Sequence, residues 1–449
     1  MCLVYIDSMG LFVVKVTRLE TNRVLQYLKE VDVTKKDLDG KTIVLGLQHT
    51  FVMFGATVLV PILTGLDIGV TLFAAGIGTL LFHVITKFKV PVFLGSSFAF
   101  IPGIIAVGAS QGLPYALGGI MVAGLLYVVV AIIFKFVSYD NLHKILPPHV
   151  TGPMIIMIGL ILAPVAIQNA NGTNSPAIAE ALGTNGCWLL ALFTFAVGIF
   201  VKIGFPKFGW KFMSNLPVLI SLIVGYLISI IIGIVDFSAV GQAAWIGIPK
   251  FTLPKFSWSA ITVMVPIAIV TMVEHFGDIL AIGNVVGQNF IKDPGIHRTL
   301  IGDGIATSLA ALIGGPANTT YSENTGAVAL TGAFNPLIMR IAAVFAIALS
   351  LIPKFTAIIG TIPGPVIGGI SILLFGMISS IGIKNMVDAK VNLSNPKLLI
   401  ISASMLVLGL GGATFQLGAI NLSGLGLAAI FGVVLNLILR PKDITQSEG

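Results

Sequence analysis

The sequence predicts an all-α polytopic membrane protein with fourteen transmembrane segments in two inverted repeats of seven. Short extended strands are expected in the third and tenth segments. Three observations lead there. First, 56% of the 449 residues are hydrophobic and 10% charged, with a mean hydropathy of +1.03, whereas a soluble domain carries about 25% charged residues. Second, the basic residues fall almost entirely on one side of the predicted segments. Third, the second half of the chain repeats the first.

Apolar stretches of about 17–25 residues suffice to span a bilayer. Candidates lie near 43–66, 68–86, 92–109, 115–137, 147–167, 188–203 and 215–235 in the first half. Those of the second half lie near 259–284, 299–315, 322–334, 336–353, 356–381, 397–411 and 418–438. With the N-terminus inside, twenty-two of the twenty-five Lys and Arg face the cytoplasm, leaving only Lys250, Lys255 and Lys354 outside. Such a bias is the positive-inside signature, and it fixes count and orientation together. The net charge of +7 is therefore topological, and a nucleic-acid partner is not expected. Residues 1–40 read as a cytoplasmic N-terminal segment without a removable signal peptide. Residues 41–237 and 256–440 form the two repeats, and 441–449 a short cytoplasmic tail. The loop 168–186 reads as polar, flexible and external.

The repeat shows as three offsets in order. A shift of 228 lays Thr71, Leu72, Gly76, Ile77, Thr79 and Leu81 on identical residues at 299–309. A shift of 226 sets Gln48-His49 on Glu274-His275 and Ser96 on Ser322. A shift of 216 sets LPPHVTGP (146–153) on IPGPVIGG (362–369). Seven spans per half is odd, so the second half enters from the opposite side, as in many secondary transporters, whose sites lie at broken helices. The broken pair is PVFLGSSFAFIPG and GGPANTTYSENTG. Extended backbone at membrane depth must face a cavity or ligand, so these two segments predict a site built of backbone donors and acceptors.

Around that site the sequence concentrates Glu274, His275, Asp278, Asp303 and Glu323. An ionised group at the bilayer centre costs about 2.5–3.5 kcal/mol on insertion scales, so the cluster needs a cavity, partners or a proton. Glu274 and Asp278 share a helix face, and two close carboxylates in low dielectric tend to hold a proton between them. His275 projects elsewhere and reads as packing or capping. Asp303, between two glycines, either caps a helix start or supports the site. Asn324 either joins the site or ties the irregular backbone together, and Tyr321 and Phe98 either stack on a planar ligand or pack.

No enzyme site is legible: there is no nucleophile with a base, no P-loop, and no metal or cofactor cluster. Cys2 and Cys187 give no disulfide framework. GLGLAA (424–429) resembles a dinucleotide fingerprint only weakly, and helix packing by small residues accounts for it better.

The segments QHTFVMFGATVLVPILTGLD (48–67), GSSFAFIPG (95–103), MVEHFGDIL (272–280), DPGIHRTLIGDGIAT (293–307) and NTTYSENTGAVALTG (318–332) resemble the nucleobase–ascorbate transporter family, and within it the bacterial uracil-carrying branch. Its signature is Glu323, Asn324, Gly326 and Thr331, combined with Gln48-His49 and Glu274-His275. The resemblance, over about residues 40–440, implies core and gate domains, a homodimer, and proton symport of a nucleobase by elevator-like movement, with the proton as coupling ion and no other cofactor. It implies that Glu274 and Glu323 hydrogen-bond the base, Phe98 lines the pocket, and Tyr321 and Ser322 offer backbone contacts. Asp278, Asp303 and Asn324 become proton-coupling or supporting residues. Purine-carrying relatives tend to have Gln where this chain has Glu323, which favours uracil. Asp278 stands where a uracil-permease pattern has His, which keeps xanthine or another oxopurine open. An anion exchanger of related fold is the remaining alternative.

Overall fold

The computed structural model describes residues 4–6, 12–14, 39–135, 147–417 and 420–439, with the backbone alone for 4–6, 12–14, 322, 323, 417, 420, 421 and 423. Most of the predicted N-terminal segment and all of the predicted tail 441–449 thus lie outside the described residues. In the N-terminal unit, Met1–Val44, strands β1 (Val4–Ile6) and β2 (Phe12–Val14) pair antiparallel.

The second unit, Leu45–Gly449, is helical. In order, the helices of the first half are α1 (Gly40–Thr64), α2 (Ile68–Ile85), α3 (Ile101–Gln111), α4 (Leu113–Phe134), α5 (Pro148–Ile161), α6 (Ala163–Ala170), α7 (Pro176–Ile199) and α8 (Pro217–Ile231). After the short α9 (Ser238–Gln242) come α10 (Trp258–Val286), α11 (Ile296–Ile313), α12 (Ser322–Thr331), α13 (Pro336–Ser350), α14 (Pro353–Gly360), α15 (Gly364–Asp388), α16 (Pro396–Leu410) and α17 (Gly424–Leu439). Strand β3 (Leu94–Ser96) precedes α3, β4 (Asn318–Thr320) precedes α12, and β5 (Thr414–Leu417) pairs with β6 (Ile420–Ser423) before α17. Among the described residues, seven helices are long and apolar enough to cross a membrane, and four further apolar helices have 10–17 residues. The chain is a mostly helical, multi-span membrane protein.

Local chemistry sets the helix ends. Proline opens α5, α7, α8, α13, α14 and α16, where its missing N–H costs nothing. Asp67 caps α2 by accepting from the Val70 N–H at 2.8 Å, and Asn335 caps α13 by accepting from Leu337 at 2.9 Å. Gly314 and Gly332 end α11 and α12 with φ of 102° and 65°, the left-handed conformation glycine adopts without strain.

The helices pack in two groups. α2 and α4 flank α11, α13 packs on α2, and α10 on α4. In the other group α15 packs against α5, α6 and α7, α8 against α7, and α16 against α5 and α17. α10 also meets α5 and α17. Glycine permits the tightest approach: a Cβ on Gly304 of α11 would lie 2.5 Å from Tyr127 Cβ and 2.6 Å from the Gly124 carbonyl of α4. Large apolar side chains such as Leu189, Ile231 and Val407 are exposed, as suits a surface covered by lipid.

The repeat reappears in the element starts. α2 and α11 begin 228 residues apart (68 and 296), and α5 and α15 begin 216 apart (148 and 364), as the sequence offsets require. The strands correct the middle offset. β3 and β4 pair antiparallel with Gly95 opposite Thr319, so a two-fold through that pair relates them by 224 residues and sets Ser96 on Thr320, not Ser322.

Four segment expectations also change. The loop 168–186 is largely helical: α6 ends at Ala170, α7 starts at Pro176, and Gly183 (φ 68°) kinks it, because Ala, Glu and Leu favour a helix whatever their polarity. Segment 188–203 accordingly begins earlier, within α7. The stretch 356–381 is divided at 361–363, so its membrane helix starts at Gly364, while α14 is bent by 84° from α13. Proline at 353, 363 and 365 makes those breaks, which hydrophobicity alone does not register. Segment 418–438 opens with a hairpin strand and becomes helix only at Gly424.

Replacing Gly304 by Ala should lower stability by about 1–3 kcal/mol, the usual cost of overpacking. Thermal unfolding in detergent checks this, and an unchanged midpoint would contradict the close α4–α11 contact.

Candidate substrate site

β3 and β4 lie within the stretches PVFLGSSFAFIPG and GGPANTTYSENTG. Leu94, Gly95 and Ser96 pair with Thr320, Thr319 and Asn318. Each strand is also held by the repeat-related threonine of a neighbouring helix. The Leu94 N–H donates to Thr79 Oγ1 at 2.9 Å, and Thr307 Oγ1 donates to the Asn318 carbonyl at 2.8 Å. Those threonines are the pair matched by the 228-residue shift. A helical turn (Phe98–Phe100) leading into α3 starts just after β3, and α12 starts just after β4. Helix N-termini carry unpaired N–H groups and positive dipole ends, so the crossing gathers backbone donors where the sequence anticipated them.

A cavity of about 440 Å³ opens beside this crossing. Phe98, Glu274, Asp278, Thr319, Thr320 and Tyr321 line one side, and Thr151, Ile378, Ile381, Lys384, Asn385 and Asp388 another. Glu274 is half-buried on α10, one turn before the buried Asp278. Asp278 Oδ2 accepts a hydrogen bond from Thr320 Oγ1 at 2.9 Å. Phe98 is buried and meets Phe375 of α15 edge-on, with centroids 6.1 Å apart. Tyr321 donates from its hydroxyl to the Ser96 carbonyl at 2.9 Å, and its ring lies over Gly95. Ser322 and Glu323 open α12 next to Tyr321, and their side chains lie outside the description.

The remaining candidates sit behind the cavity wall. Asn324 is buried: its Oδ1 lies 3.0 Å from His49 Nδ1, and its Nδ2 donates to the Pro91 carbonyl at 3.3 Å. The other His49 nitrogen lies 3.4 Å from Thr331 Oγ1. His49 of the Gln-His motif thus grips both ends of α12 by its Asn and Thr, and it was not among the sequence candidates. Asp303 is wholly buried in the middle of α11, which excludes the capping role weighed for it. Its Oδ2 is 3.3 Å from His275 Nδ1.

Sequence reasoning also missed Thr319 and Thr320. Thr319 Oγ1 is buried at the cavity wall without a partner among the described residues. Their signal was the offset: position 320 answers Ser96 once the register is corrected. On the opposite wall Lys384 was read only as topology. There Lys384 and Asp388 form an exposed ion pair one helical turn apart, and Asn385 Nδ2 donates to Thr151 Oγ1 at 3.0 Å between α15 and α5. Among the described residues no cluster of His, Cys, Asp and Glu could hold a metal. GLGLAA opens α17 with Gly426 set against Pro266, a Cβ there meeting the proline Cβ at 2.6 Å, which is helix packing.

Comparison with known proteins agrees with this architecture. The Permease family model matches residues 40–418. The chain is 43% identical over 422 residues to the uracil permease of Bacillus caldolyticus, covering 92% of this chain and 95% of that one. It is 44% identical over 410 residues to the uracil permease of Bacillus subtilis (strain 168), covering 90% and 93%. Those relatives are transporters, not enzymes. In solved structures the fold matches the transmembrane domain of a cyanobacterium bicarbonate transporter, BicA, with a TM-score of 0.62, 19% identity, and 89% and 97% coverage. It also matches the murine anion transporter Slc26a9 in the inward-facing state, with a TM-score of 0.64, 14% identity, and 95% and 72% coverage.

Removing His49 leaves Asn324 and Thr331 without their buried partner. His49→Leu should cost about 1–3 kcal/mol, the desolvation penalty of an unmet polar group, read as a lowered unfolding midpoint. A variant as stable as the parent would contradict the anchoring role.

Proposed function

We propose that this chain, which belongs to the permease family of nucleobase/ascorbate transporters, is a uracil:proton symporter of the cytoplasmic membrane. The single observation that best supports the reading is the cavity. It joins a carboxylate face (Glu274, Asp278), an aromatic ring (Phe98) and the backbone of a strand crossing. Uracil presents N–H donors and carbonyl acceptors on a flat ring. Carboxylates accept from its N–H groups, backbone N–H groups meet its carbonyls, and a ring covers its face. The relatives named uracil permeases, 43% and 44% identical over most of the chain, point to the same base.

In this reading Glu274 and Glu323 bind the base, with Phe98 and the backbone at Tyr321 and Ser322 completing the contacts. Thr319 adds a hydroxyl at the wall. Protonation within the group of Glu274, Asp278 and Asp303 neutralises the loaded site, since moving one charge across 100 mV costs about 2.3 kcal/mol. Asn324 supports the site by holding α12. The fourteen segments form two inverted repeats, 41–237 and 256–440, with both termini cytoplasmic. A core domain carrying β3, β4, α10 and α11 moves, elevator-like, against a gate domain carrying α5 and α15, in a homodimer. The two helix groups and the cavity between α10 and α15 support that division. No cofactor other than the proton is required. Transport of an inorganic anion fits less well, because the cavity offers two carboxylates to a negative solute.

Radiolabelled uracil uptake into proteoliposomes tests the function. Uptake should rise with an inward proton gradient and fall with excess unlabelled uracil but not with equal excess xanthine. Uptake indifferent to the gradient would sink proton coupling, and equal competition by xanthine would sink the choice of uracil. Glu274→Gln and Glu323→Gln each remove a charge-assisted hydrogen bond of about 1.5–3 kcal/mol. Each should weaken uracil binding about 10- to 100-fold, measured by titration calorimetry. Binding within twofold of the parent would remove that residue from the site.

A further inference from the structure

The proton-coupling reading leaves open where the proton rests, and an unusual pair behind the cavity bears on it. Asp303 and His275 are both completely buried, and neither lines the cavity. Neither carboxyl oxygen of Asp303 makes a well-directed hydrogen bond, and His275 Nε2 has no partner among the described residues. The surroundings are otherwise apolar or closed. Phe82 of α2 stands edge-on to the imidazole, with centroids 6.4 Å apart, and Gly302 and Gly304 seat α11 directly on Phe82 and Tyr127. A carboxylate in such a place is stable only with a proton or a cation beside it. Among the described residues, His275, 3.3 Å away, is the partner placed to supply either.

The pair is not isolated from the cavity. Thr320 Oγ1 lies 3.4 Å from the same nitrogen, His275 Nδ1, and donates to Asp278 Oδ2 at 2.9 Å. A continuous chain therefore runs from the cavity carboxylate Asp278, through one hydroxyl, to a buried imidazole and a buried carboxyl. The other titratable groups on the elements around the pair are engaged elsewhere or face the cavity. The Tyr127 hydroxyl of α4 bonds Thr271, His83 of α2 bonds the Val92 carbonyl at 2.9 Å, and Glu274 of α10 lines the cavity.

We propose that His275 and Asp303 together hold the coupling proton outside the substrate cavity, and that Thr320 is the positioning residue connecting this store to Asp278. The inference rests on the uracil:proton reading given above. The step balances with one proton. With the store filled, His275 is an imidazolium beside the Asp303 carboxylate. Thr320 Oγ1 accepts the proton on Nδ1 while passing its own hydrogen to Asp278 Oδ2. His275 is left neutral with its hydrogen on Nε2, Asp278 becomes a neutral acid, and Asp303 is left a carboxylate without its cation, a state that burial disfavours and that draws the proton back. The reverse transfer refills the store from the cavity. No heavy-atom bond forms or breaks.

His275→Asn tests this, because its amide nitrogen stands where Nδ1 does but takes no proton. Two readouts are compared in proteoliposomes: uracil accumulation driven by a proton gradient, and gradient-free exchange of labelled for unlabelled uracil. The variant should lose about tenfold or more in accumulation while exchange stays within about threefold. Thr320→Val should show the same split, with Thr320→Ser accumulating well above it. Accumulation by His275→Asn equal to the parent would overturn the proposal, as would parallel loss of accumulation and exchange, which marks a structural role. Should His275→Asn not yield folded protein, the contrast between Thr320→Val and Thr320→Ser decides alone, and equal accumulation by those two overturns it. A parent that carries no uracil, or carries it without the gradient, refutes the underlying reading instead.

Discussion

Backbone polar groups inside an apolar helical bundle have no water to bond, and most of this site follows from how two short extended segments meet that constraint. β3 and β4 satisfy each other through three paired residues, and the helices around them supply what the ladder leaves over. Thr79 and Thr307 tie the strand starts, Asn318 Nδ2 donates to the Ala74 carbonyl at 3.1 Å, Ser96 Oγ donates to the Thr57 carbonyl at 3.1 Å, and Tyr321 closes on Ser96. α1, α2 and α11 are thereby fastened to one crossing. The extended breaks at β3 and β4 are what bring two helix starts to the cavity wall.

Around the crossing the polar residues divide into two layers. Glu274 and Asp278 face the cavity with Phe98. His275 and Asp303 lie behind, and Thr320 joins the layers. Adjacent positions on α10 serve both layers because successive residues of a helix differ by about 100°. A third set, His49, Asn324 and Thr331, touches neither layer and fixes α12 in place. The Glu-Asn-x-Gly-x-x-x-x-Thr signature thus includes two residues, Asn324 and Thr331, whose partner is the histidine of the Gln-His motif.

Much of this was legible in the sequence. Composition and charge placement gave the class, and two of three repeat offsets agree with the element starts at 68, 296, 148 and 364. Phe98, Glu274, Asp278 and Tyr321 were named from residue type and the broken spans, and all four line the cavity. What hydrophobicity could not reveal was anything decided by proline or by partner choice. Pro353 and Pro363 reset the chain around α14, and a polar stretch before Gly183 is helical because its residues favour helix. Thr320 and His49 carry ordinary side chains whose importance lies in contacts 42 to 282 residues away. One sequence cannot disclose those. Asp303 was recognised as anomalous, but its partner His275 had been assigned to packing, since the spacing along α10 says nothing of α11.

The family match and the 43% and 44% identical relatives point to a permease, and the solved neighbours at 19% and 14% identity carry only the architecture. The account's central claim is that the base is held at the strand crossing by carboxylates and backbone. A structure determined with saturating uracil tests that claim most directly. The account predicts uracil in the cavity, within hydrogen-bond distance of Glu274 and of backbone at the start of α12, with its face against Phe98. Uracil bound away from the β3–β4 crossing, or a cavity left empty at saturation, would contradict it.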